Sequence, residues 1–161
     1  MSIIGSNILA GASGQAGYNL NNSLRFRQSA NGYLSRTPSS ATNRRTWTWS
    51  GWVKLGTLGT DRVLFSAGSG ATDSLIYFDS TNQIRFNTNN SSNIVTTQVF
   101  RDPSAWYHIV GVLDTTQATA ANRVKLYING TLTNTATSAP TQNTDGGINN
   151  NIRQQDVEYY Y

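Results

Sequence analysis

Eight carboxylates, a single histidine and no cysteine bound the chemistry open to this chain of 161 residues. The acids are Asp61, Asp73, Asp79, Asp102, Asp114, Asp145, Asp156 and Glu158. Hydrolysis of a glycosidic bond needs two carboxyl groups flanking it. No segment that reads as a strand carries two acids at i, i+2 or i, i+4, and the only Glu falls in the tail. His108 sits in the middle of an apolar segment, where a hydrogen bond to a neighbouring side chain is its expected role. No G-x-S-x-G nucleophile elbow precedes it. One His without Cys leaves no zinc site. The chain therefore reads as a non-enzyme.

Binding chemistry is better represented than catalysis. Trp52, Tyr77 and Tyr127 fall off the faces that alternation assigns to the core. An exposed aromatic ring of this kind stacks on a sugar, and the competing use is burial in a subunit contact.

These side chains are carried by short alternating segments. In Thr46–Val53, Trp47, Trp49, Gly51 and Val53 share one face, and Thr46, Thr48, Ser50 and Trp52 share the other, the period of a half-buried strand. Trp106–Leu113 alternates in the same way, with Trp106, His108 and Val110 opposed to Tyr107, Ile109, Gly111 and Leu113. Val124, Leu126 and Ile128 point inward ahead of Asn129-Gly130, the favoured pair for a two-residue hairpin turn, with Thr131–Thr135 as the return strand. Leu75–Phe78, the turn Asp79–Asn82 and Ile84–Phe86 form a second hairpin. Leu24–Phe26, Tyr33–Leu34 and Val63–Phe65 are further short strands. Asn87–Asn93 reads as a polar loop and Ile94–Phe100 as a strand. Asp114–Asn122 reads as a loop with room for one helical turn. The expected fold is all-β, an antiparallel sandwich of jelly-roll type. It spans 23–136, preceded by an N-terminal arm, 1–22, and followed by a polar C-terminal extension, 137–161. In the arm the apolar pairs Ile3–Ile4 and Ile8–Leu9, and in the tail Tyr159, Tyr160 and Tyr161, are candidate assembly contacts, and the tail Ile152–Tyr161 reads either as an edge strand or as an anchor in a partner.

Composition narrows the partners. Only 12% of residues are charged, where about 25% is usual, and Asn, Thr, Ser and Gly fill the gap as strand and turn formers. The net charge is +4, but the basic residues are scattered and densest only at Arg44–Arg45. Nucleic-acid binding, which calls for a basic stripe, is not expected. No run approaches the roughly 20 apolar residues of a membrane helix, and Met1–Ala12 lacks the features of a signal peptide. Synthesis in a bacterial cytoplasm without export is the expectation.

The segments TWTWSGWVK (Thr46–Lys54), AWYHIVGVL (Ala105–Leu113), Asp114 and RVKLYING (Arg123–Gly130) resemble laminin G-like domains of the concanavalin A-like lectin/glucanase fold. The longer words SLRF, YLSRTPSS, RDPSAWYH and DTTQATAANRVKLYING, and the N-terminal GSNILAGASGQ, resemble a version found in tailed-phage virion proteins, notably of marine and cyanobacterial phages. The resemblance covers about Ser23–Thr135. It implies a structural or adaptor component of the virion, tail-associated, whose arm and sandwich assemble with other tail or neck proteins as a homo-oligomer, a trimer or hexamer. The alternative it implies is a carbohydrate-binding module for host cell-surface glycan. No cofactor is required, but relatives hold calcium with Asp and backbone oxygens. Asp79, Asp114 and Asp145 are the loop candidates, with turn formation the preferred role for Asp79 and Asp145. One departure from the family pattern is that only 31 residues follow Gly130, and none resembles the usual closing strand. A truncated domain, a sandwich with an open edge, and closure by a neighbour's added strand are the readings, of which the last is preferred.

Overall fold

A computed structural model describes residues 32–68, 73–89, 91–133, 138–150 and 154–158. The expected arm, the Leu24–Phe26 strand and the terminal tyrosines lie outside them. Among the described residues ten strands are formed: β1 (Leu34–Arg36), β2 (Thr46–Val53), β3 (Arg62–Ala67), β4 (Ser74–Phe78), β5 (Ile84–Thr88), β6 (Ser91–Val95), β7 (Tyr107–Asp114), β8 (Val124–Ile128), β9 (Thr131–Leu132) and β10 (Gln154–Glu158). All pairings are antiparallel, in a six-stranded sheet β1-β10-β3-β4-β5-β6 and a four-stranded sheet β2-β7-β8-β9.

Alternation accounts for the core between the sheets. Ile109 and Leu113 of β7 and Val124, Leu126 and Ile128 of β8 are buried, as are Ile76 and Phe78 of β4 and Ile84 and Phe86 of β5. Trp47 spans the gap, with its ring 5.5 Å from Phe65 and 5.4 Å from Phe86. A second aromatic group, Phe78, Phe100 and Tyr107, meets edge-to-face with centroids 5.5 and 5.0 Å apart. Such offset geometries suit the ring quadrupoles. The Asn129-Gly130 turn forms with φ of +50° and +80°, the double positive φ that a two-residue turn matching strand twist requires. The expected helical turn is a single 3-10 turn at Ala120–Asn122.

Three expectations are corrected. The polar run at 87–93 is not a loop, because β5 continues to Thr88 and β6 begins at Ser91. Its buried polar groups satisfy one another: the Thr88 hydroxyl donates to the Asn93 side-chain oxygen, which removes the cost of burying them. The chain then leaves the sheet after Val95, where the Thr96 hydroxyl accepts the Ile84 N–H at 3.0 Å and donates to the Gln98 carbonyl at 2.9 Å.

The stretch expected as a polar extension is stitched to the sandwich. The Gly146 N–H donates to the Arg44 carbonyl (3.0 Å) and the Asn143 N–H to the Thr115 carbonyl (2.8 Å), while Ile148 packs on the core. The closing strand is in the chain itself. β10 lies between β1 and β3, with Asp156 opposite both Leu34 and Phe65, so that position needs no strand from a neighbour. Of the two expectations for the tail, edge strand or anchor, a strand forms, but it lies inside the sheet; Gln154–Glu158 lacks apolar alternation and has Val157 as its one β-branched residue, so its central place was not legible.

Candidate functional site

Period-2 alternation carries Trp52 out of the sandwich, and cross-strand register decides what it meets. Trp52 stands opposite His108, Ser50 opposite Val110, Val110 opposite Tyr127, and Tyr127 opposite Leu132. These residues share the outer face of the four-stranded sheet, because directly paired residues point the same way. Trp52 is 60% exposed and stacks on the His108 imidazole, with centroids 5.0 Å apart and planes 27° from parallel. His108 Nε2 lies 3.0 Å from the Ser50 hydroxyl. Its backbone is clamped by Asn129, whose side-chain oxygen accepts the His108 N–H at 2.8 Å and whose own N–H donates to the His108 carbonyl at 2.8 Å. The imidazole is thereby a fixed wedge that holds the indole upright.

Trp52 and Tyr127 therefore fall on one face, and Tyr77 does not. It lies on β4 in the other sheet, half-buried beside Arg85, with its hydroxyl 3.5 Å from the Asn87 amide. His108 was missed as a member of the face. Trp106 is 54% exposed, and the alternation Trp106, His108, Val110 already assigned all three to one side.

Asp79 and Asp114 serve their own turns, and Asp145 pairs with Arg45 across the chain. Asp79, 6% exposed, accepts the Thr81 and Gln83 N–H groups and the Thr81 hydroxyl on Oδ1 (2.9, 3.0 and 2.5 Å), and Arg85 Nε on Oδ2 at 2.6 Å. Burial alone pushes its carboxyl up, but these donors outweigh it and hold the group below its ordinary value. Asp114 accepts the Thr116 N–H and hydroxyl and the Gln117 amide, bonds that lower its pKa. Asp145 is lowered by Arg45, whose Nε donates at 2.7 Å, with Arg44 3.9 Å away. Each carboxylate is engaged by donors of this chain, and among the described residues no three His, Cys, Asp or Glu gather as a metal group.

Asp73 Oδ1 and Asn89 Oδ1 are buried with no hydrogen-bond partner. They stand at matching positions one residue beyond the Ser74–Thr88 pair, and burial raises the Asp73 pKa. A further correction concerns the acids in the tail: β10 places Asp156 and Glu158 two residues apart on one strand, a spacing expected on none.

Residues 27–160 match the Laminin_G_3 family model, described as the Concanavalin A-like lectin/glucanases superfamily. The chain belongs to this superfamily. No curated protein matches it. Among solved structures, a sialidase of Trypanosoma rangeli in complex with 2,3-difluoro-KDN is similar to this superfamily member over 73% of the chain, at 18% identity and TM-score 0.49. A native heptameric SAP-like pentraxin from Limulus polyphemus is similar over 82%, at 17% identity and TM-score 0.47. The chain spans only 18% of the sialidase and 59% of the pentraxin. These likenesses are too remote to assign a ligand or an assembly.

Proposed function

We propose that this lectin-fold chain is a non-catalytic recognition domain that binds glycan on the outer face of its four-stranded sheet. The observation that carries this reading is Trp52, 60% exposed and stacked on His108. A pre-oriented ring loses little freedom when a sugar stacks on it. Tyr127 supplies a second platform on the same face. Ser50, His108 and Lys125 supply polar groups beside the rings.

The phage-type words of the sequence support placing the domain in a tailed-phage particle, as a tail-associated adaptor facing host-surface glycan. The test is isothermal titration of the full chain against host-envelope oligosaccharides. Trp52→Ala is expected to abolish binding and Tyr127→Ala to weaken it about tenfold, while Tyr77→Ala, on the other sheet, leaves it unchanged. Loss of binding in Tyr77→Ala alone would overturn the site. Release of reducing sugar that is suppressed by Asp156→Asn or Glu158→Gln would overturn the non-catalytic reading.

The unpaired Asp73 and Asn89 oxygens support calcium as the ion of this domain, held by these two and not by the turn aspartates. Millimolar calcium is expected to raise Tm, as any ligand of the native state does, and Asp73→Ala to remove the increment. A Tm indifferent to both calcium and chelator would sink the assignment.

A further inference from the structure

The chain has ten arginines and two lysines, and the two kinds are used differently. Arg44 and Arg45 turn to Asp145, Arg85 to Asp79, and Arg123 to the carbonyls of Gln117 and Ala118. Lys54 and Lys125 carry no hydrogen bond or ion pair among the described residues. Both stand on the outer face of the four-stranded sheet. Lys125 is opposite Val112, on the same side as Tyr127. Lys54 is exposed just after β2, and continuing the register beyond Val53–Tyr107 sets it against Trp106.

Trp106 is a second indole on this face, 54% exposed. It lies one strand across and one row along from Trp52, about 8 Å away between backbones. The acid in that corner, Asp102, is committed to its own turn: its Oδ1 accepts the Ser104 N–H at 2.8 Å and the Ser104 hydroxyl at 2.6 Å. Those bonds lower its pKa, and the charge of Lys54 adds to them. The ammonium is therefore within electrostatic reach of this turn without forming an ion pair there. From one corner to the other the face runs Lys54, Trp52, Tyr127, Lys125, a cation at each end and a ring inside each.

We propose that Trp106 and Lys54 form a second sugar subsite, next to the one at Trp52, and that it takes a carboxylate-bearing sugar. The inference rests on the glycan reading of Trp52 and names the class of glycan: a linear chain with an acidic residue close to the residue stacked on Trp52. The indole of Trp106 takes the apolar face of the acidic ring. The Lys54 ammonium takes its carboxylate in a charge-assisted hydrogen bond. A lysine suits this role, because it is a compact point charge on a flexible stem and can follow one carboxylate standing off the ring. Lys125 gives the far end of the same chain a second cation beyond Tyr127, so the face complements a glycan that is acidic along its length.

The experiment measures affinities of the full chain on an array of acidic and neutral host-envelope oligosaccharides, before and after the carboxylates of the acidic ones are reduced to alcohols. The expected result is retention of the carboxylate-bearing glycans, weakened about fivefold by reduction, the upper end for an exposed charge pair. Lys54→Gln brings the same loss on the intact glycans and none on the reduced ones, and Lys54→Arg keeps the preference for the acid. Trp106→Ala weakens both forms about tenfold; should that variant fail to fold, Trp106→Leu removes the ring and keeps the bulk. Retention of neutral glycans alone, or a Lys54→Gln loss equal on intact and reduced glycans, overturns the acidic subsite and leaves the Trp52 site standing. Retention of no glycan, or retention that survives Trp52→Ala, overturns the glycan reading itself and the subsite with it.

Discussion

Gly111→Val is expected to lower Tm by about 6–12 °C, corresponding to about 3 kcal/mol for a chain of this size. The cause is the closeness of the two sheets. A Cβ at residue 111 would stand 2.6 Å from Ile76 Cδ1 and 3.2 Å from Phe86 Cε1. Both side chains are fully buried, so neither can swing out to solvent. Even Gly111→Ala is expected to destabilise, by about 1–2 kcal/mol. This reverses the ordinary sign, since replacing glycine within a strand usually helps by restricting the unfolded chain. Shortening the opposing side chain tests the cause: Ile76→Val removes Cδ1, so the double variant should recover part of the loss measured for Gly111→Ala. Thermal melts of the four proteins check this. Strictly additive losses would mean that the Ile76 contact is not the origin of the effect.

What the sequence made legible follows from what alternation encodes. It reports which residues of one strand share a face, and so Trp47 and Trp49 inward, Trp52 outward, and the inward triplet of β8 were readable. The Asn129-Gly130 turn was readable because only residues tolerant of positive φ stand there. Alternation does not report which sheet a strand joins. For that reason Trp52, Tyr77 and Tyr127 looked equivalent, and only the register of β2, β7 and β8 separates Tyr77 from the other two. It also cannot mark a strand whose partners are chosen by backbone pairing. β10 is polar but for Val157, and the buried Thr88–Asn93 pair made a hairpin look like a loop. The demand on Gly111 arises between sheets and leaves no trace along the chain. The aspartates show the same limit from another side. Their acidity made them look like ligands, yet the Ser and Thr residues two positions after Asp79, Asp102 and Asp114 were turn signals in plain view. Asp73, whose oxygen lacks such a donor, was passed over because its burial depends on strands distant in the chain.

The hub at Asp79 yields the other large effect, and its pH dependence identifies its origin. Asp79→Asn is expected to cost about 2 kcal/mol at neutral pH, in the range for breaking a charged hydrogen-bond network. An asparagine can still accept the Thr81 and Gln83 N–H groups on its oxygen. It then turns an amide N–H₂ toward Arg85 Nε, and a donor faces a donor where a 2.6 Å ion pair had been. The folded carboxyl titrates below its unfolded value, because the Thr81, Arg85 and Gln83 bonds outweigh burial. Its contribution to stability is therefore complete above the unfolded value of about 3.9 and is lost as pH falls through the lower folded value. The stability difference between wild type and Asp79→Asn should accordingly be constant from neutral pH down to about pH 5 and then shrink in acid. Denaturant unfolding of both proteins across this range measures it. A difference that stays constant into strong acid would assign the effect to turn geometry instead of charge. Asp145→Asn provides the contrast: its carboxylate is also held low, by Arg45, but it is solvent-exposed, and an exposed pair of this kind contributes little at any pH.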